Sequence, residues 1–84
     1  MPGRTLTETS RDKLAELIAE KRHRAGWTQE ELARRLGVSI NTVEKWEQGA
    51  TVPSRMAKKI IKQVLNLDID KLVERGDLKI DNWH

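Results

Sequence analysis

TQEELARRLGVSINTVEKWEQG, residues 28 to 49, is the stretch that decides how this chain folds. Thr28 and Glu31 have capping-box spacing: the threonine hydroxyl accepts from a backbone N–H three residues on, and the glutamate reaches back to the cap. Trp27 before the cap and Leu32 at the fourth helical position form a hydrophobic staple across the same turn. Gly37 can take the left-handed conformation that stops a helix, so this helix has about two turns. Ser39 then caps a second short helix, with Val38 and Val43 at staple spacing, and Gly49 ends it.

Two short helices joined by a glycine-containing turn make a helix-turn-helix arrangement. Ala33 stands where the helices cross, and its small side chain lets the backbones approach. Leu32, Val43 and Trp46 are apolar where the pair must pack on the rest of the molecule. The second helix is left with Ile40, Asn41, Glu44, Lys45 and Gln48, spaced i, i+1, i+4, i+5, i+8 on one helical face. No hydrophobic core requires asparagine and lysine there. The face is either plainly wetted or a surface that reads another molecule.

Outward from this centre, helical signals continue. A helix is predicted from Ser10 to Ala25, with Leu14, Leu17 and Ile18 as an apolar stripe. Lys21, Arg22 and Arg24 load its last turn, where the helix dipole favours cations, and Gly26 stops it. Pro53 and Ser54 open a fourth helix, whose apolar set is Met56, Ala57, Ile60, Ile61, Val64 and Leu65. Asp68 caps a fifth, with Ile69, Leu72 and Val73 inward, and Gly76 closes it. The tail DLKIDNWH alternates at Leu78 and Ile80 and is either extended or disordered. The expected fold is all-α with five helices. Residues 1–9 form a loose N-terminal arm with Arg4 as its cation, residues 10–67 the helix-turn-helix domain, and residues 68–84 helix 5 and a tail that serves dimerisation.

Composition narrows the class. With 84 residues, 37% apolar and 35% charged, the chain suits one small globular domain. Cysteine, phenylalanine and tyrosine are absent, so there is neither a disulfide framework nor a thiolate zinc site. No stretch approaches membrane-span length, and the first residues carry no apolar leader, which leads to the expectation of a whole, cytoplasmic, nucleoid-associated protein with no membrane partner. Charge is uneven: residues 1–62 hold 13 Lys/Arg against 8 Asp/Glu, and residues 63–84 hold 3 against 5. A basic body suits a polyanionic partner. His23 and His84 have no second ligand at metal spacing, and no Ser/His/Asp set is visible. The expectation is therefore no metal, no cofactor, no small-molecule ligand and no enzymatic activity.

The residues Arg22, Gly26, Thr28, Gln29, Leu32, Ala33, Gly37, Val38, Ser39, Val43, Trp46, Glu47, Gln48, Gly49, Pro53 and Ser54 together resemble the Cro/CI-type (XRE) helix-turn-helix repressors, over roughly residues 11 to 67. The resemblance implies a lambda-repressor-like five-helix domain that binds double-stranded DNA, usually as a homodimer, with the third helix in the major groove. Ser39, Ile40, Asn41, Glu44 and Lys45 fall on or beside the base-reading positions, and Thr28, Gln29, Thr42, Gln48, Arg55 and Lys58 on the phosphate-facing side. Arg22 and Glu47 match a buried ion pair between helices 1 and 3. Ile40 departs from the polar reader of well-known members; isoleucine cannot donate a hydrogen bond but can press on a thymine methyl. Asn41 suits adenine and Lys45 guanine, while Glu44 either accepts from a cytosine amino group or pairs with Lys45 or Lys21. Leu72, Val73, Leu78, Ile80 and Trp83, in the acidic last quarter, are the expected dimer contacts. The leading function is a repressor on a palindromic operator. The alternatives are an antitoxin that also binds a toxin through its C-terminal part, a controller of a restriction–modification system, and an adapter that has lost DNA.

Overall fold

Every helix of the computed structural model, which describes residues 5–81, begins at a side-chain cap. Thr7, Thr28, Ser39, Ser54 and Asp68 each sit in extended backbone and accept from the N–H three residues on, those of Ser10, Glu31, Thr42, Ala57 and Lys71. A short polar side chain there satisfies one of the donors that a helix start leaves unpaired, worth about 1 kcal/mol each. The elements that follow are β1 (Thr5–Leu6), α1 (Glu8–Ala25), α2 (Gln29–Leu36), α3 (Ile40–Glu47), α4 (Arg55–Leu65), α5 (Ile69–Glu74) and β2 (Ile80–Asp81). The all-α expectation holds for the body of the molecule, and the addition is one two-residue strand pair.

That pair revises both ends. β1 and β2 are antiparallel, with Thr5 opposite Asp81 and Leu6 opposite Ile80. From Thr5 onward the N-terminal segment is therefore not a loose arm, and Leu6 is buried. α1 starts two residues earlier than predicted, with Thr7 as its cap. Ser10 lies inside the helix, buried, and its hydroxyl accepts from the Lys79 backbone N–H at 2.7 Å. The Thr7 N–H in turn donates to the Lys79 carbonyl at 3.0 Å. These bonds clasp the tail across the start of α1.

One core serves the described residues. Leu14 and Ile18 of α1 meet Leu32, Ala33 and Leu36 of α2, Val43 and Trp46 of α3, and Ala57, Ile61 and Leu65 of α4. Leu67, Ile69 and Leu78 belong to the same cluster, so residues 68–81 are part of this body and not an appended element. Leu78, expected at a dimer surface, is only 1% exposed within its own chain. The apolar tail residue goes inward because the clasp turns the chain back over α1, and burying a leucine is worth about 1.5–3 kcal/mol. Met56 departs in the other direction. It is expected within the apolar set of α4 but is 72% exposed, off the face on which Ala57, Ile61 and Leu65 are buried.

Candidate nucleic-acid interface

α2 and α3 stand as a pair because the turn between them is closed by backbone bonds. Gly37 has φ 74°, a left-handed value that costs glycine little. The Gly37 N–H donates to the Arg34 carbonyl and the Val38 N–H to the Ala33 carbonyl, which engages two of the four terminal acceptors of α2. At the other end of α3, Gly49 has φ 75°, and a Cβ built there meets the Asp12 carboxylate oxygen at 2.6 Å. The chain leaving α3 thus runs beside α1, and the left-handed backbone at Gly49 favours glycine there.

A polar network beneath the pair fixes it further. The Arg22 guanidinium on α1 donates from Nε to Glu47 Oε2 at 2.8 Å and from NH2 to Glu47 Oε1 at 3.0 Å, the planar two-point geometry of arginine with a carboxylate. A third donor, NH1, reaches the Trp27 carbonyl at 2.8 Å, and NH2 also lies 3.1 Å from His23 Nε2. The hydrogen bonds to Glu47 raise the Arg22 pKa above its ordinary value, so the guanidinium stays charged at any working pH. Gln29 completes the set, its amide nitrogen donating to Glu47 Oε1 at 3.1 Å. α1, the start of α2 and the end of α3 are locked through one carboxylate.

Gln29 was predicted to hold a phosphate with its side chain. In the free protein that amide faces Glu47 instead, and it is half-buried. What the α2 start offers outward is its backbone N–H groups, with the Thr28 hydroxyl already engaged by the Glu31 N–H at 3.1 Å. The contributions of the Trp27 carbonyl and of Gln29 to this network have no marker in the sequence; only the Arg22 and Glu47 pairing does.

The outer face of α3 presents Ile40, Asn41, Lys45 and Gln48 to solvent, with Ile40 41% exposed. Ser39 and Thr42 flank it, tied to each other by a hydroxyl bond of 2.9 Å, with the Ser39 oxygen also accepting the Thr42 N–H. Both hydroxyls are therefore positioned by the cap. Glu44 is half-buried, and among the described residues it pairs with neither Lys45 nor Lys21. Arg55 projects from the first turn of α4 and is exposed. Lys58, expected to face a phosphate, is held by Asp70 of α5 at 2.8 Å. Trp27 is a packing residue, half-buried, with the Arg35 guanidinium 4.2 Å from its ring centre.

Of the residues expected at a dimer contact, Leu72, Val73 and Ile80 are half-buried against the core, Leu78 lies within it, and Trp83 falls outside the described residues. Among the described residues no group of His, Asp and Glu is arranged to hold a metal ion, and no helix is long and apolar enough to cross a membrane.

Comparison with known proteins bears on the same region. The family model described as a helix-turn-helix domain matches residues 13–75, α1 through α5. A type II methyltransferase, M1.ScrFI of Lactococcus lactis subsp. cremoris, is 38% identical over 55 residues, which is 62% of this chain and 14% of the methyltransferase. The chain thus spans about one seventh of that relative's length. No solved structure matches.

Proposed function

The chain belongs to the helix-turn-helix domain family, and we propose that it is a sequence-specific regulator that binds double-stranded DNA and represses as a homodimer on a palindromic operator. The observation that carries this reading is the contrast across α3. Its inner side, Val43 and Trp46, is sealed in the core, and its end is pinned by Glu47. Its outer side holds an exposed row of Asn41, Lys45 and Gln48 that contributes nothing to the fold. A helix about 10–12 Å across fits a major groove about 12 Å wide. Asn41 can satisfy adenine in two-point fashion and Lys45 can donate to guanine, each good pair discriminating by about 1–3 kcal/mol. Ile40 at the start of the helix suits a thymine methyl. One copy reads few base pairs, and two copies related by a two-fold axis read a palindrome with half-sites one helical turn apart. In this reading the chain binds and does not catalyse.

A second reading draws on the methyltransferase relative, whose match covers 62% of this chain. It makes this chain a controller within a restriction–modification system, using the same α3 face. The two readings differ in the genes regulated and share the DNA contact.

Selection from a random duplex pool tests the shared core. The wild-type chain is expected to enrich a palindrome at physiological salt. The Asn41→Ala, Lys45→Ala variant is expected to lose the palindrome and keep weak binding that falls steeply with salt, by a slope near −0.9 per neutralised phosphate. A wild-type chain that enriches no sequence sinks the proposal.

A further inference from the structure

Two residues on the outer side of α3 fit DNA poorly when each is taken alone. Ile40 is 41% exposed, and its side chain has no polar atom to offer a base edge. Glu44 brings a carboxylate toward a polyanion, which costs general attraction to phosphate. It is half-buried, and among the described residues it takes part in no ion pair. The two stand four residues apart, which on a helix puts their Cβ atoms about 5–6 Å from each other on one face. The turn that carries Ile40 is held by its cap: the Ser39 hydroxyl accepts the Thr42 N–H and bonds the Thr42 hydroxyl at 2.9 Å. An apolar seat and an uncommitted acceptor therefore stand side by side at the start of the recognition helix.

We propose that Ile40 and Glu44 together read one modified base, 5-methylcytosine, so that binding answers to cytosine methylation of the operator. A pyrimidine shows the major groove its C4 and C5 substituents on neighbouring ring atoms. Cytosine offers an N4 amino donor and no methyl, and thymine offers a C5 methyl beside an O4 acceptor. Thymine can seat its methyl on Ile40, but it turns O4 toward the Glu44 carboxylate, acceptor against acceptor. Cytosine can donate to Glu44, but it leaves Ile40 facing water. Guanine shows only acceptors there, and adenine an amino group with no methyl. 5-Methylcytosine alone presents a methyl and a donor together, which is the complement of this pair of side chains. The carboxylate that weakens general attraction to DNA is thus repaid at one base. The inference rests on the operator-binding reading and narrows what the start of α3 meets there.

Duplex selection from two random pools tests it, one synthesised with cytosine and one with 5-methylcytosine throughout. Fluorescence anisotropy on the enriched palindrome then compares cytosine, 5-methylcytosine and thymine at each cytosine position in turn, changed in both halves. At one position 5-methylcytosine is expected to bind more tightly than cytosine, by about fourfold per half-site and about fifteenfold for the pair, the gain from burying one methyl in each. Thymine at that position is expected to bind about fivefold or more weakly than 5-methylcytosine, since Glu44 loses its donor. Ile40→Ala is expected to bring 5-methylcytosine and cytosine to the same affinity. Glu44→Gln, whose amide can also donate to O4, is expected to close the gap between thymine and 5-methylcytosine. Circular dichroism of each variant checks that the helices are retained. A palindrome at which no cytosine gains from its methyl overturns this inference and leaves the operator reading standing. So does a gain that survives Ile40→Ala, or thymine binding wild type as tightly as 5-methylcytosine, because Ile40 and Glu44 then act on separate bases. A chain that enriches nothing from either pool overturns both.

Discussion

The α2–α3 pair and the terminal clasp both feed the same core, but they are assembled over different distances along the chain. In the pair, each boundary is set within a few residues: Thr28 by Glu31, Ser39 by Thr42, Gly37 by Ala33 and Arg34. In the clasp, the bond from the Lys79 N–H to the Ser10 hydroxyl joins positions 69 residues apart, and Leu6 pairs with Ile80. Local devices close little loop and form early at small entropic cost; the clasp must close nearly the whole chain before its contacts return anything. The α2–α3 pair is therefore bounded by short-range signals, and the ends are held by long-range ones.

The largest expected effect cuts across that division. If α2–α3 were as local as its caps suggest, losing any one polar side chain there would cost about 1 kcal/mol, as a cap does. Glu47→Ala is expected to cost about 3–5 kcal/mol in urea denaturation, because it strands the buried Arg22 guanidinium without its countercharge. Replacing Arg22 and Glu47 together by methionine and leucine is expected to recover most of the loss, since a well-packed apolar pair escapes the desolvation penalty. A loss near 1 kcal/mol for Glu47→Ala counts against the network and returns the pair to its local description.

Next comes the clasp itself. Leu78→Ala removes a side chain with no exposure to speak of and is expected to cost about 2–5 kcal/mol from transfer and cavity combined. Cutting the chain after Gly76 removes Leu78 with β2 and the Ser10 bond, so it is expected to destabilise the monomer before any dimer is considered. Denaturation midpoints followed by circular dichroism decide this. A truncated chain as stable as the full one shows that the last residues serve only contacts between copies.

The same division explains what was legible in the residues alone. The caps at Thr28, Ser39, Ser54 and Asp68 were readable because each needs only its own side chain and the turn that follows. The cap at Thr7 is not legible in this way, because residues 1–9 read as a loose arm until the distant Lys79 backbone ties Thr7 and Ser10 down. Leu78 and Met56 exchanged places, one expected outside and found in the core, the other expected in the apolar set and found exposed. Both errors come from reading periodicity without knowing where the chain returns. At the interface, Asn41 and Lys45 were legible as residues a core does not need, whereas the Gln29 amide turned to Glu47 because that carboxylate sits 18 residues away in sequence and next to it in space.

The smallest expected effect lies between the two regions, at the cap of α5. The Asp68 carboxylate accepts the Lys71 N–H at 3.0 Å and lies 3.4 Å from the Lys62 ammonium. The backbone bond, aided by Lys62, lowers its pKa below the ordinary 3.8. A carboxyl whose folded pKa is depressed contributes stability that is fully present above its unfolded value and is lost as pH falls through the folded value. The α4–α5 junction should therefore hold steady at neutral pH and loosen as the pH drops below about 4. Asp68→Asn keeps an oxygen that can cap the helix but no longer titrates. Urea midpoints compared across that acid range are expected to fall more steeply for wild type than for Asp68→Asn, with the gap between them narrowing toward low pH. Parallel acid limbs for the two proteins show that the cap works through its geometry alone, as the neutral caps of α2 and α3 do, and that the charge at this junction is incidental.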